Sequence, residues 1–99
     1  MFQMLKHIVM WKFKEGVAEA DKLEAKRQLE ALMGVTPTLT KIEVGLDVLG
    51  TDQSKDMVLY SEFASMEDLK AYAEHPEHVK VGEFIKPRVC ERHAVDYEV

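Results

Sequence analysis

One cysteine, Cys90, is all that the sequence carries, which excludes a disulfide framework within the chain and fits a reducing compartment. Long apolar runs are missing as well. The opening MFQMLKHIVMWKF is too short and too charged for a signal-peptide h-region or a membrane span, so a cytoplasmic protein without membrane contact is expected. A basic stripe is also lacking. The 13 Lys and Arg are scattered among 18 Asp and Glu for a net charge of −5, and without clustered cations a chain cannot neutralise a run of phosphates, which argues against nucleic acid as a partner. Glycine-rich phosphate loops, nucleophile elbows and Ser/His/Asp constellations are absent. So are repeats, linkers and low-complexity tracts. What remains, 46% hydrophobic and 31% charged residues over 99 positions, describes one globular domain, residues 1–99. A chain of this size holds a modest core and no deeply enclosed active site of its own, a shortfall that oligomerisation would repair.

The first element is Leu5 to Phe13, LKHIVMWKF, whose β-branched and aromatic content predicts a strand. One face carries Leu5, His7, Val9, Trp11 and Phe13, the other Lys6, Ile8, Met10 and Lys12. Neither face is cleanly polar. Helices can cover one; the other needs a second sheet, which a partner copy of the chain supplies most economically. Ala18, Lys22, Ala25, Leu29, Leu32 and Met33 recur at three- and four-residue steps and predict an amphipathic helix ended by Gly34. After VTPTLT comes KIEVGLDVL, Lys41 to Leu49, a half-exposed strand that reads as an edge. GTDQSKD reads as a hairpin loop, and MVLYSEF, Met57 to Phe63, as the third strand. Ser65 with Asp68 three positions on is a capping signature for a second helix. VCERHAVDYEV, Val89 to Val99, is the last strand. The order β-α-β-β-α-β, with a supplementary short helix, is an α+β, ferredoxin-like plan with an antiparallel sheet. Met1, Met4, Met10, Met33, Met57 and Met66 are dispersed and read as gap fillers.

Between Leu69 and Val89, LKAYAEHPEHVKVGEFIKPRV, titratable side chains and a helix break converge. The residue before Pro76 is pushed out of the α region, so one helix closes at His75 and Pro76 opens a fresh turn. A straight helix would send residues six apart through roughly 600° and separate their side chains; a kinked one can aim Tyr72 and His78 into the same space. Val81 and Ile85 lie along the face of His78, and inward residues Val9, Trp11 and Leu59 would complete a mostly apolar pocket. Two readings stay open at this point. His78 is a neutral general base beside a Tyr72 hydroxyl, or it ties down a backbone carbonyl at the kink while Tyr72 fills the core. His75, next to Pro76, reads as a cap, and His93 as structural. Gly82 reads as a point of close packing between helix and sheet. His75, Glu77 and His78 are close in sequence, but His-x-x-His across a proline assures no common face and Cys90 stands alone, so neither metal nor other cofactor is expected.

LKHIVMWKFKEG, DMVLYSEF and above all YAEHPEHVKVGEFIKPRV followed by VDYEV resemble the stress-responsive A/B barrel (Dabb) domain over nearly the whole chain. The resemblance implies a homodimer in which two ferredoxin-like sheets pack face to face as an α+β barrel, each protomer keeping a small pocket between sheet and helices. The wider superfamily also holds haem-degrading and quinone-forming monooxygenases, so the fold decides no chemistry. One enzymatic member of the family closes a linear polyketide by an intramolecular aldol reaction. That member is similar to this chain at His7, Tyr72, His75 and His78, and by that similarity His78 would be a general base and Tyr72 would stabilise an enolate; a small apolar or carbonyl-containing ligand would then face His7, Met57 and the apolar lining of Val9, Trp11, Leu59, Val81 and Ile85. This chain departs from that enzyme where a pocket histidine is replaced by Met57 and a first-helix aromatic by Lys26.

Overall fold

A computed structural model of the chain describes residues 4–99; Met1, expected to fill a gap, lies outside them. Strands β1 (Leu5–Phe13), β2 (Lys41–Leu46), β3 (Met57–Phe63) and β4 (Val89–Glu98) form one sheet, and helices α1 (Glu19–Ala31), α2 (Met66–Glu74) and α3 (Pro76–Ile85) pack on one side of it. The strand order is β2-β3-β1-β4, all neighbours antiparallel. This is the ferredoxin-like α+β fold, with β2 at an edge as its half-exposed pattern requires. The expected supplementary helix, α3, has ten residues, one more than α2.

Alternation in β1 and β3 sorts the two faces of the sheet. Leu5, Val9, Trp11 and Phe13 meet Met57, Leu59 and Phe63 under the helices, and all are buried. Ala25 and Leu29 of α1 and Val81 and Ile85 of α3 close that core from above. Burying such side chains stabilises by about 1.5–3 kcal/mol each. One polar side chain, Ser61, lies within it, its hydroxyl donating to the His7 carbonyl at 3.1 Å. The connection after α1 also contributes: Leu39 is buried, and so is Thr36, which bonds back to the Leu32 carbonyl at 2.5 Å. No helix among the described residues covers the opposite face of the sheet. There Ile8 lies between Tyr60 and Val95, and Met10 between Val58 and His93, in cross-strand rows; Met10, Val58, Val95 and Tyr97 are exposed.

Several expected boundaries move for local reasons. α1 stops at Ala31 and continues as a 3-10 turn over Leu32–Gly34. Gly34 keeps a negative φ and forms no left-handed cap, and the expected inward positions Ala18 and Met33 are exposed. β2 ends at Leu46 rather than Leu49, because the Asp47 carboxylate accepts from the Gly50 N–H at 2.8 Å and Gly50 takes a φ of +69°. Val48, expected to extend the apolar face with Ile42, Val44 and Leu46, projects into solvent, as does Leu49. Met10, Met33 and Met66 are exposed and fill no gap; Met57 is the buried one.

Candidate functional site beneath the kinked helix

The break between α2 and α3 builds the site. Ser65 starts α2 by accepting from the Asp68 N–H at 3.1 Å. At the far end His75 is extended, φ −64° and ψ 136°, as a residue before proline must be, and its Nδ1 accepts from the Glu77 N–H at 3.1 Å to cap α3. Glu77 is thereby withdrawn from the Ala73 carbonyl, its partner in an unbroken helix. His78 takes that place, its Nδ1 lying 3.1 Å from the Ala73 oxygen. A carbonyl only accepts, so Nδ1 carries the proton and Nε2 of the neutral ring carries the lone pair. Burial pushes the pKa of His78 below its usual value, aided by His7 and the cationic Arg92 and Lys86, against the contrary pull of the Ala73 bond.

Tyr72 and His78 come together across the kink, their ring centroids 4.5 Å apart. Phe63 packs on the other side of Tyr72 at 5.0 Å and continues to His7 at 6.4 Å, so four rings run from the first strand to the third helix. The Tyr72 hydroxyl is buried and has no hydrogen-bond partner among the described residues; burial drives its pKa far upward. A buried donor left unpaired costs about 1–3 kcal/mol.

In front of His78 lies a cavity of about 370 Å³ between β1, β3, β4 and α3. His7, Val9, Trp11, Leu59, Val81 and Ile85 line it, together with His78. Two residues named from the sequence do not. Tyr72 sits behind His78, against Phe63, and is only 1% exposed. Met57 shares a strand face with Leu59 and pairs with Trp11, but it does not line the cavity; it lines a separate groove with Met10, Leu46 and Lys55. Gly82 also faces the cavity, and its role differs from the close packing expected of it: a Cβ there would meet only the Lys86 side chain, at 4.0 Å.

Sequence reasoning missed the contribution of β4. Register places Asp96 opposite His7 and Arg92 opposite Trp11. The Asp96 carboxylate accepts from His7 Nδ1, which fixes the orientation of that ring. Arg92 and Lys86 complete the wall. Alternation within VCERHAVDYEV does set Arg92, Ala94 and Asp96 on one face; only the pairing with β1 shows that this is the face turned toward the helices. His93, on the other face, bonds to Glu91 at 3.0 Å, and with Lys55 it holds the Glu91 carboxyl down at about 2.

With this geometry in place, the match to a known family is decisive: the sequence model of the stress responsive A/B barrel domain fits residues 5–99. This chain belongs to the stress-responsive A/B barrel (Dabb) family. Olivetolic acid cyclase of Cannabis sativa is 30% identical over 81 residues, 80% of either chain. A stress-response A/B barrel domain-containing protein of Arabidopsis thaliana is 31% identical over 96 residues, 96% of this chain but 36% of the plant protein. Among solved structures, a dimeric protein of unknown function with a ferredoxin-like fold from Bacteroides fragilis NCTC 9343 is 38% identical, with a TM-score of 0.84 over 100% of both chains. The described residues of this A/B barrel domain contain no helix long and apolar enough to cross a membrane. They also bring no three His, Cys, Asp or Glu side chains together as a metal site.

Proposed function

We propose that this A/B barrel protein works in the cytoplasm as a homodimer and that each protomer binds a small, mainly apolar ligand in the cavity between α3 and the sheet. The cavity itself carries this reading. It is concave, walled by Val9, Trp11, Leu59, Val81 and Ile85, and edged by a few polar groups, the usual make-up of a small-molecule site. Gly82 supports it further. In mid-helix a glycine costs about 1 kcal/mol relative to alanine; here packing does not demand it, and any larger side chain would enter the cavity. The dimer is supported by the open apolar face and by the dimeric Bacteroides relative.

A second reading, cofactor-independent cyclase or isomerase chemistry, is favoured by one observation: His78, its Nδ1 tied to the Ala73 carbonyl, packs its ring 4.5 Å from that of Tyr72, whose hydroxyl has no partner among the described residues. In this reading His78 takes an acidic C–H proton next to a ligand carbonyl. Tyr72, after a small shift of the His78 ring, donates to the enolate oxygen, and the proton returns from His78 to carbon or oxygen. The likeness to olivetolic acid cyclase points the same way.

Thermal-shift measurements with small β-diketones and phenolic acids test the binding reading. A ligand at a hundredfold excess over its dissociation constant stabilises the folded state by about 2.7 kcal/mol. Gly82→Leu, which fills the cavity, is expected to abolish the shift while the variant stays folded by circular dichroism. A ligand that stabilises both proteins equally binds elsewhere, and the assignment then fails. Turnover of such a ligand, lost in His78→Ala, would establish the second reading over the first.

A further inference from the structure

The lining of the cavity is not uniform in exposure. Val9, Trp11, Leu29, Leu59, Val81 and Ile85 are buried, whereas two lining residues, Lys86 and Arg92, are exposed. The exposed members of a concave lining mark its mouth, and here both are cations. They come from different elements, Lys86 from the turn after α3 and Arg92 from β4, so the cavity opens between two positive charges. Neither side chain has an ion pair or hydrogen bond among the described residues; the same holds for Lys12, Lys14 and Lys70, but of these only Lys86 and Arg92 line the cavity. The nearest carboxylate on that face of β4, Asp96, is engaged by His7. A chain with a net charge of −5 thus keeps two uncompensated cations at the opening of an apolar cavity.

We propose that the ligand of this cavity is an amphipathic carboxylate, its apolar body packed against Trp11, Leu59 and Val81 and its carboxylate held at the mouth by Lys86 and Arg92. This names the ligand class for the binding reading above and rests on it. At about 30 Å³ for each water-sized group, a volume of 370 Å³ has room for roughly a dozen such groups, which suits a medium-chain or aryl-alkyl acid. Arg92 offers a planar fork that matches a carboxylate, and Lys86 a point charge. A phosphate head is less well served, because the mouth has no glycine-rich loop of backbone N–H groups among the described residues.

Calorimetric titration of the whole chain with sodium octanoate and with 1-octanol tests this. The two differ in the head group and share the tail. A charge-assisted hydrogen bond contributes about 1.5–3 kcal/mol, so octanoate is expected to bind roughly tenfold or more tighter than octanol. In the Lys86→Gln, Arg92→Gln double variant that preference should vanish, with octanol affinity and melting temperature unchanged. Equal affinities in the wild type, or a preference that survives the double substitution, overturns the proposal and leaves the apolar cavity reading intact. Octyl phosphate binding more tightly than octanoate overturns the choice of carboxylate. Silence from all three compounds overturns the cavity reading together with this one.

Discussion

The two faces of the sheet differ in how they are left incomplete. Under the helices, most side chains of β1 and β3 are buried, and the cavity that remains is concave, ligand-sized and edged by His7, His78, Lys86 and Arg92. On the other face Ile8, Met10, Val58, Tyr60, Val95 and Tyr97 form rows across three strands with no covering element among the described residues. A flat apolar surface asks for another flat apolar surface; a walled hollow asks for a molecule of its own shape. One sheet thus presents two recognition problems, and alternation along the strands keeps them apart.

Paired substitutions on neighbouring strands separate the faces most sharply. Phe63→Ala, beneath the helices, removes a fully buried ring and is expected to cost about 3–5 kcal/mol in denaturant unfolding. Met10→Asp, on the open face, is expected to leave each protomer folded but to halve the mass seen by light scattering at micromolar concentration. A Met10→Asp protein that remains a dimer would place the partner elsewhere.

Tyr72→Phe probes the covered face more finely. It removes the unpartnered hydroxyl and keeps the ring against Phe63 and His78, so a gain of about 1 kcal/mol in unfolding free energy is expected. A loss of similar size would mean that the hydroxyl has a partner in solution, such as an ordered water. The smallest expected effect is on pH dependence. Because the folded pKa of His78 lies below its unfolded value near 6.5, the unfolded chain takes up the proton first as the pH falls. Stability contributed by the neutral ring is full above that value and declines below it. The melting temperature of the wild type should therefore fall more steeply than that of His78→Gln between about pH 6.5 and the lowered folded pKa; parallel curves would contradict the burial of this imidazole.

Much of the fold could be read from local chemistry, and most of what could not depended on partners distant in sequence. β1, β3 and the Ser65 cap follow from alternation and a capping pattern within a few residues, and the meeting of Tyr72 with His78 follows from what proline does to its predecessor. Apolar alternation continues through Val48 and so extends β2 on paper to Leu49, whereas the Asp47 side chain diverts the backbone into a turn after Leu46. Met57 is assigned to the pocket through resemblance to a family position on the third strand; that resemblance does not tell where along the strand the cavity of this chain stops. Asp96 and Arg92 depend on a register between the first strand and the last, which no local window contains. The Lys86 charge was visible, and its place at the mouth was not, since that required knowing which way β4 returns.

Central β1 takes β4 as one of its two neighbours, with Leu5 opposite Glu98. On a ribosome, the first strand therefore emerges long before one of its flanks exists. Until β4 emerges, β1 can hold only β3, and its β4 edge stays open to any passing strand. Sequence-distant pairings of this kind slow folding, because the loop from Leu5 to Glu98 must close before the contacts repay that entropy. Arg92 and Asp96 arrive with that same strand, so the cavity wall and the partner of His7 are incomplete until the sheet is finished.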